Sequence, residues 1–330
     1  MAATQPQAAS QGLRKYSSGG FEYFTNAFAA TWRFSRRKPL GGIGLFLLLF
    51  IATFTIVGWN WTPQDPLEIH ARALFHHPQW MHGWRHLWRH NFMLGTDHLG
   101  RDQLSRLMNG AHRSIYVSFV SVTSGAIIGY MLGLYSGYYQ DWRDVVISRI
   151  IDTLMSIPAL VLAIAIVSVQ GPTFRPLGSS VSSFLHIPSQ SSVIIAIAVI
   201  QIPGTARVVR SVVISIRNIE YVQAARAVGA GDWRIILRHV APQTAAPVII
   251  LITSAFGTAI IIEASLSFLG LGTPPPNASW GQMLSGPTLQ NVERAPWNVV
   301  FPGIILTLTV FGFNLIGDAL RDYLDPRLRA

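Results

Sequence analysis

Three histidines near the front of the chain recur at every fourth position, and they are the residues best suited to hold a metal. They are His82, His86 and His90. On a helix this spacing puts the imidazoles on one face, where neighbours at i and i+4 can share a Zn²⁺ or Ni²⁺ ion. A row of tryptophans with the same spacing would occupy the opposite face, which is typical of a helix lying in a membrane interface. No carboxylate flanks the row, and Arg85 and Arg89 would repel a cation, so we favour the interfacial helix and predict no metal site.

Beyond that row the sequence offers little catalytic chemistry. It contains no cysteine, which excludes disulfides, thiolate nucleophiles and cysteine-based metal sites. The only lysines are Lys15 and Lys38, and no Gly-x-x-x-x-Gly-Lys-Ser/Thr segment occurs, so the chain cannot bind ATP through a P-loop of its own. No Ser-His-Asp set has motif support, and no His-Glu-x-x-His occurs. We therefore predict a chain that is not an enzyme and holds no cofactor of its own.

Two acidic residues lie within or at the edge of long apolar runs, where an unpaired carboxylate is costly. Glu263 either pairs with an arginine of a neighbouring polar segment or faces a water-filled path and touches a solute, and we favour the ion pair. Asp152 follows Arg149 by three residues, which places both side chains on one face of a helix and predicts a local ion pair.

The most polar stretch between apolar runs is the basic island, residues 217–243, which reads RNIEYVQAARAVGAGDWRIILRHVAPQ. We expect two short helices joined at Gly229 and Gly231, since glycine accepts a positive φ without a Cβ penalty. Asp232 is placed to cap the second helix, and Pro242 is expected to end it because it has no N–H. Alanines keep the surface of the first helix low enough to sit in a groove of another protein.

The elements that must position these groups belong to a membrane protein. Half of the 330 residues are hydrophobic, only 12% are charged and the mean hydropathy is positive, which suits a bilayer better than water. The net charge of +10 could indicate a nucleic-acid partner. However, the basic residues are divided among the segments that separate the apolar runs. We therefore expect lipid as a partner and no nucleic acid.

Six apolar runs are long enough to cross about 30 Å of hydrocarbon, so the predicted fold class is an all-α integral membrane protein with six transmembrane helices. The second run carries glycines at four-residue spacing, which predicts close helix packing, and Pro158 predicts a bend in the third. Most Lys and Arg residues fall in segments that share a side with the N-terminus, which predicts an N-in/C-in orientation. The predicted spans are residues 40–59, 115–137, 145–170, 187–206, 240–262 and 295–317.

The domain organisation follows from these spans. It comprises a cytoplasmic N-terminal tail with a possible interfacial helix (1–38), a first transmembrane helix (39–61), an external segment (62–110), a five-helix core (111–317) that contains the basic island, and a cytoplasmic C-terminal tail (318–330).

Two external segments carry turn-forming residues. Glycines and mixed charges at residues 94–106 predict a compact, salt-bridged turn. Prolines 274–276 followed by Trp280 predict a stiff loop with its indole anchored in the membrane interface.

The basic island resembles the cytoplasmic "EAA" loop of ATP-binding-cassette importer permeases, whose pattern is Glu-Ala-Ala, three residues, Gly, nine residues, Ile, one residue, Leu-Pro. Ala224, Ala225, Gly229 and Pro242 match that pattern. Gln223 stands where the family has Glu, and two further positions near the end of the loop also differ. Three other stretches resemble the dipeptide, oligopeptide and nickel branch of these permeases. They are LGTDHLGRDQLSRLMNGAHRS at 94–114, EASLSFLGLGTPPPNASWGQML at 263–284 and FPGIILTLTVFGFNLIGDALRDYLDPRLR at 301–329.

This resemblance implies the type I importer permease fold in a prokaryotic inner (plasma) membrane. It further implies a related second permease subunit, two cytoplasmic P-loop ATPases that bind ATP and Mg²⁺, and an external solute-binding protein. The implied solute is a dipeptide or oligopeptide; nickel or another small solute is the alternative within the family, and a self-contained carrier or channel is the alternative outside it. The residues that would contact an ATPase are Tyr221, Gln223, Ala224, Ala225, Arg226, Gly229, Asp232, Trp233, Arg234, Arg238 and Pro242.

Overall fold

The computed structural model describes residues 39–78, 92–170 and 190–324, and the secondary-structure elements in these ranges are helices. Five continuous helical stretches are long and apolar enough to cross a membrane, and a bent pair of helices brings the number to six if it counts as one span. The helices are α1 (Pro39–Asn60), α2 (Gln103–Tyr139), α3 (Trp142–Ser156), α4 (Ala159–Gln170), α5 (Ser191–Ile216), α6 (Glu220–Ala227), α7 (Asp232–Ile235), a π-helix (Ile236–Val240), α8 (Ala241–Phe268), α9 (Trp280–Met283), α10 (Pro287–Gln290) and α11 (Trp297–Leu324).

The glycine ridge of α2 packs directly on the backbone of α5, as its spacing predicts. A Cβ atom at Gly125 would lie 2.5 Å from the carbonyl oxygen of Ala198, and one at Gly133 would lie 2.6 Å from that of Ala206. Only hydrogen fits in these positions, so the two helices approach backbone to backbone. Residue numbers rise together along both helices at these contacts, which makes α2 and α5 parallel.

Two parallel helices require the chain to cross back between them, and α3 with α4 makes that return. Asp144 of α3 contacts Arg210 near the end of α5, whereas Ala163 and Val167 of α4 pack in a cluster with Val193 near its beginning. The predicted bend at Pro158 is therefore confirmed, and it is a complete break with an angle of 96°. Ile157 adopts an extended conformation, because the ring of a following proline excludes the α-helical region.

Both ends of the described chain lie at the same end of the bundle as the basic island. α1 and α11 run antiparallel, with Gly44 of α1 packed against Leu315 of α11, and Gly58 at the other end of α1 packs against Met108 near the start of α2. We call this end the island end. The opposite end carries the distal cap, formed by residues 61–78, 92–102 and 269–296.

The distal cap contains the salt-bridged turn that the sequence predicts. Arg101 Nη2 lies 2.7 Å from Asp97 Oδ2, and both residues are buried. Gly100 has a φ of +78°, and a Cβ there would lie 2.1 Å from the carbonyl oxygen of His70, so the turn needs glycine for its conformation and for its space.

Three predictions about helix ends and anchors were wrong. The second span begins at Gln103, well before the apolar run, because Asp102 caps it by accepting the amide of Ser105 at 2.8 Å. Pro242 does not end a helix: it lies in the first turn of α8, where its missing N–H is tolerated, and the π-helix joins α7 to α8. Trp280 is fully buried, with its indole donating to the carbonyl of Leu107 at 3.1 Å, so it is a core residue and not an interfacial anchor.

Candidate coupling surface

The basic island folds back onto the membrane helices through apolar side chains on its inner face. Val222 of α6 is fully buried, and Ile235, Ile236 and Val240 join it in one cluster. The same cluster contains four residues of the long helices, namely Leu134 and Tyr138 of α2 and Val209 and Val213 of α5. The island therefore packs on the two helices that the glycine ridge holds together.

The turn between α6 and α7 has the conformation that its glycines predict. Gly229 has a φ of +85°, and a Cβ there would meet no atom within 4 Å, so the glycine serves the backbone conformation and not a packing contact. The amide of Ala230 donates to the carbonyl of Ala225 at 3.0 Å and closes the end of α6. This turn is the most exposed part of the island.

Asp232 does not cap α7, contrary to prediction, because Gly231 occupies the N-cap position. The carboxylate of Asp232 instead accepts a 2.7 Å hydrogen bond from the hydroxyl of Tyr138. Arg226 donates to the same hydroxyl at 3.2 Å, and this contact raises the pKa of the Arg226 guanidinium. One tyrosine of α2 thus contacts both helices of the island.

The contact role of Tyr138 was not predicted from the sequence, because no motif in its own segment indicates that its hydroxyl forms hydrogen bonds. Its backbone carbonyl also accepts from Arg217 Nη1 at 2.8 Å, at the junction of α5 and the island. One feature of the sequence could have indicated this role: Tyr138 directly follows Gly137, the last glycine of the ridge. Because the ridge packs on α5, the next residue is expected to lie near the end of α5.

The outer face of the island combines exposed apolar and basic side chains. Val228 is 89% exposed, Trp233 63% and Leu237 62%. Arg234 and Arg238 are exposed beside them and form no ion pair with any residue that the structure describes. Large exposed apolar side chains often mark a surface for another protein.

The remaining residues of the predicted set lie on the two flanks of this face. Ala224 is exposed and Ala225 is half-buried, while Tyr221 is 40% exposed and its ring lies 6.4 Å from that of His239. Gln223 donates to the carbonyl of Asn218 at 3.0 Å, so it stabilises the entry into α6. Pro242 is exposed in the first turn of α8.

Ion pairs link α3 to α5 close to the island. Asp144 binds Arg210 through two hydrogen bonds of 2.7 Å and also accepts from Ser136 of α2. Asp152 pairs with Arg207 at 2.7 Å, so its predicted pairing with Arg149 was wrong. The break at Pro158 turns α4 by 96° from the direction of α3, and both ion pairs to α5 come from α3 before that break.

Glu263 lies near the distal end of α8 and is surrounded by serines. Only 1% of it is exposed, and its Oε1 accepts from Ser267 at 2.7 Å, while Ser114 and Ser279 also lie against the carboxyl group. No arginine pairs with it within the described residues. The expected ion pair is therefore absent from the described residues, where Ser267 donates to Oε1 and Oε2 has no hydrogen-bond partner.

The predicted histidine row at 82, 86 and 90 lies outside the described residues. Within the ranges that the structure does describe, no group of three His, Asp or Glu side chains could hold a metal ion.

These features define a polytopic helical membrane protein with exposed apolar and basic side chains on one surface at the end of its bundle. Residues 129–330 match the family described as the binding-protein-dependent transport system inner membrane component, and the chain belongs to that family. This match covers the last third of α2, the basic island and the rest of the bundle that follows.

Relatives with similar sequences over most of the chain are also transport permeases. The dipeptide transport system permease protein DppC of Alkalihalophilus pseudofirmus is 44% identical over 72% of both chains. The di/tripeptide transport system permease protein DppC of Pseudomonas aeruginosa is 38% identical over 89% of both. Among solved structures, an inward-facing MetNI methionine ABC transporter aligns with 66% of this chain and 96% of its own, with a TM-score of 0.49 and 18% identity. The family assignment rests on the sequence matches.

Proposed function

We propose that this chain is a permease subunit of an ATP-driven importer for dipeptides and oligopeptides, with its island end in the cytoplasm. Its family consists of inner membrane components of binding-protein-dependent transport systems. Relatives that resemble it over most of their length carry names for dipeptide, di/tripeptide and glutathione transport. The excess of Lys and Arg in segments at the island end supports the orientation.

The observation that carries the coupling role is the uncovered outer face of the basic island. Val228, Trp233 and Leu237 would enter a groove on a P-loop ATPase, and Arg234 and Arg238 would pair with its acidic residues. The ATPases bind ATP and Mg²⁺ and perform the hydrolysis. This chain contributes no catalytic group, only a different affinity for two states of its partner.

Force from the ATPase would reach the membrane through the contacts of the island. Tyr138 binds both helices of the island to α2, and the glycine ridge holds α2 against α5. These helices therefore move as one unit with the island. The pairs of Asp144 with Arg210 and Asp152 with Arg207 extend that unit to α3, so a shift of the island would reorient the broken span and the solute path beside it.

Co-purification tests the coupling role. The full chain is expected to retain P-loop ATPase subunits of its transport system, and Val228→Asp is expected to lose them, because it puts a charge into an apolar docking contact. Leu67→Asp, an exposed apolar residue in the distal cap, is the matched control and should retain them. Retention by both variants, or by neither, would refute the role of the outer face.

Competition separates the candidate solutes. Uptake of a labelled dipeptide by cells that carry the whole transporter should fall when unlabelled dipeptides or tripeptides are added and should be unaffected by Ni²⁺. Competition by Ni²⁺ alone would assign the transporter to nickel.

A further inference from the structure

The distal cap contains a small cavity of about 190 Å³ whose charged lining residues carry an excess of positive charge. Asp97, Arg101 and Arg106 lie in its wall, together with side chains from α9 and α10. Two guanidinium groups thus face one carboxylate. Neither guanidinium can reach bulk water readily, because the side chains of Arg101 and Arg106 are only 8% and 3% exposed.

Asp97 neutralises Arg101 but has no capacity left for Arg106. Its Oδ1 accepts the amides of Leu99 and Arg101 at 2.8 and 3.0 Å. Its Oδ2 accepts both Nε and Nη2 of Arg101, at 2.8 and 2.7 Å. Four good donors fill the carboxylate, and Arg106 Nε is left 3.5 Å away.

The other contacts of Arg106 are equally weak. Its Nη atoms lie 3.3 Å from Gln282 Oε1 and 3.4 Å from the carbonyl oxygens of Pro66 and Pro276, at the long limit for hydrogen bonds. Asp102, the next acid along the chain, accepts from Ser105 through Oδ2 and makes no ion pair with Arg106. A buried guanidinium normally has a close, charge-assisted acceptor, and Arg106 has none among the described residues.

His98 lies at the same cavity and does not change this balance of charge at neutral pH. Burial lowers the pKa of His98, and although Asp97 raises it, Arg101 and Arg106 lower it further. The imidazole is therefore neutral at pH 7, and the cavity keeps one positive charge in excess of its carboxylate.

We propose that this cavity receives one carboxylate side chain of the external solute-binding protein, which docks on the distal cap and pairs with Arg106. This inference rests on the proposed function, because it needs the distal end to face that protein. The size of the cavity favours a protein side chain over a free peptide, since sites for small molecules usually enclose about 300 Å³ or more. Leu99, Pro275 and Pro287 stand exposed around the opening and give it the apolar, rigid rim on which a protein surface can close.

The proposal can be tested with a substitution that places a carboxylate of this chain beside Arg106, where it would compete with the carboxylate of the partner. Gln282 Oε1 already faces Arg106, so Gln282→Glu adds a negative charge there without a change in volume. In the assembled transporter in nanodiscs, this variant should bind the solute-binding protein of its own system about tenfold more weakly than wild type. Gln290→Glu adds the same charge on the exposed surface of α10 and should stay within about twofold, since a rim charge matters less than a buried one.

Equal affinities of the two variants would overturn the proposal. Capture of the ATPases by the same preparations reports separately on the proposed function, so the two failures are distinguishable. If Gln282→Glu does not assemble, Leu99→Cys replaces it, because the chain has no other thiol. Docking of the solute-binding protein should slow maleimide labelling of that cysteine about fivefold or more, since a side chain at a closed rim is shielded. An unchanged labelling rate would refute docking at the cavity.

Discussion

The two ends of the bundle use arginine in opposite ways. In the basic island, Arg234 and Arg238 are exposed and have no acidic partner in the described chain. In the distal cap, Arg101 and Arg106 are buried around Asp97. Both regions look alike in sequence, as short polar stretches with glycine turns between apolar runs.

The two ends differ in whether their charged groups are paired within the chain. The distal cap holds the ends of α1, α2, α8 and α11 together, so its charges are buried and mostly paired inside the chain. The island leaves basic and large apolar side chains exposed, and this is the surface that we propose an ATPase covers. Charged groups are therefore buried within the fold at the distal end, whereas those of the island remain exposed.

The largest effect is expected in the distal cap. Asp97→Asn removes the carboxylate that binds Arg101 and leaves two buried guanidinium groups with no carboxylate between them. Breaking a buried ion pair in this way typically lowers the free energy of unfolding by about 3–5 kcal/mol. The variant should therefore either fail to fold or unfold at a much lower temperature in detergent. Asp141→Asn is the control, because the Asp141 carboxylate lies in an exposed contact with the Arg143 guanidinium at 3.7 Å. Asparagine can keep the N-cap hydrogen bond that Asp141 accepts from the amide of Arg143. If both variants unfold alike, the distal cap is not a stabilising element.

The helices that connect the two ends are expected to tolerate almost no added volume. Gly133→Ala inserts a methyl group 2.6 Å from the carbonyl oxygen of Ala206, so α2 and α5 must separate, at a cost of about 1–3 kcal/mol. Gly204→Ala, in α5, adds the same group where no atom lies within 4 Å. It should be neutral or stabilise the helix by up to about 1 kcal/mol. Thermal unfolding of the pair measures this directly, and equal losses would show that the ridge contact is not close.

Sequence patterns predicted the parts of this molecule that depend on local chemistry. The glycine ridge, the break at Pro158 and the turn at Gly229 each follow from the residue concerned and its neighbours. Contacts across the fold could not be predicted in the same way. Asp152 pairs with Arg207 and not with the nearby Arg149, because the partner is selected by helix packing.

The same limit explains the errors at the candidate site. The sequence alone does not show whether a tryptophan is buried or exposed. Trp280 was therefore predicted to lie in the membrane interface, although it lies in the core. Asp232 had the right spacing for an N-cap, yet Tyr138, far away in sequence, offers its carboxylate a donor at 2.7 Å. Long-range contacts of this kind need the fold before they can be identified.

A smaller effect is expected in the island itself. Gly229→Ala places a Cβ on a residue with a φ of +85°, which costs about 1–2 kcal/mol for an L-residue. Since the site is exposed, the strain should loosen the turn and lower peptide uptake without unfolding the bundle. Gly231→Ala is the matched control, because its φ of −66° suits any residue. Equal uptake by the two variants would mean that the conformation of the turn does not matter for transport.

The smallest effect on stability, and the sharpest test of the island, is expected at Tyr138. Tyr138→Phe keeps the buried ring but removes the hydroxyl that donates to Asp232 and accepts from Arg226. The loss should be about 1 kcal/mol, the usual net value of a hydrogen bond, because water can reach the exposed carboxylate. Transport should suffer more than stability: the ATPases stay bound and hydrolyse ATP, but fewer peptides are taken up per ATP. Tyr116→Phe, in the exposed part of α2, should leave that ratio unchanged. A wild-type ratio in Tyr138→Phe would mean that the island transmits its movement through its apolar cluster alone.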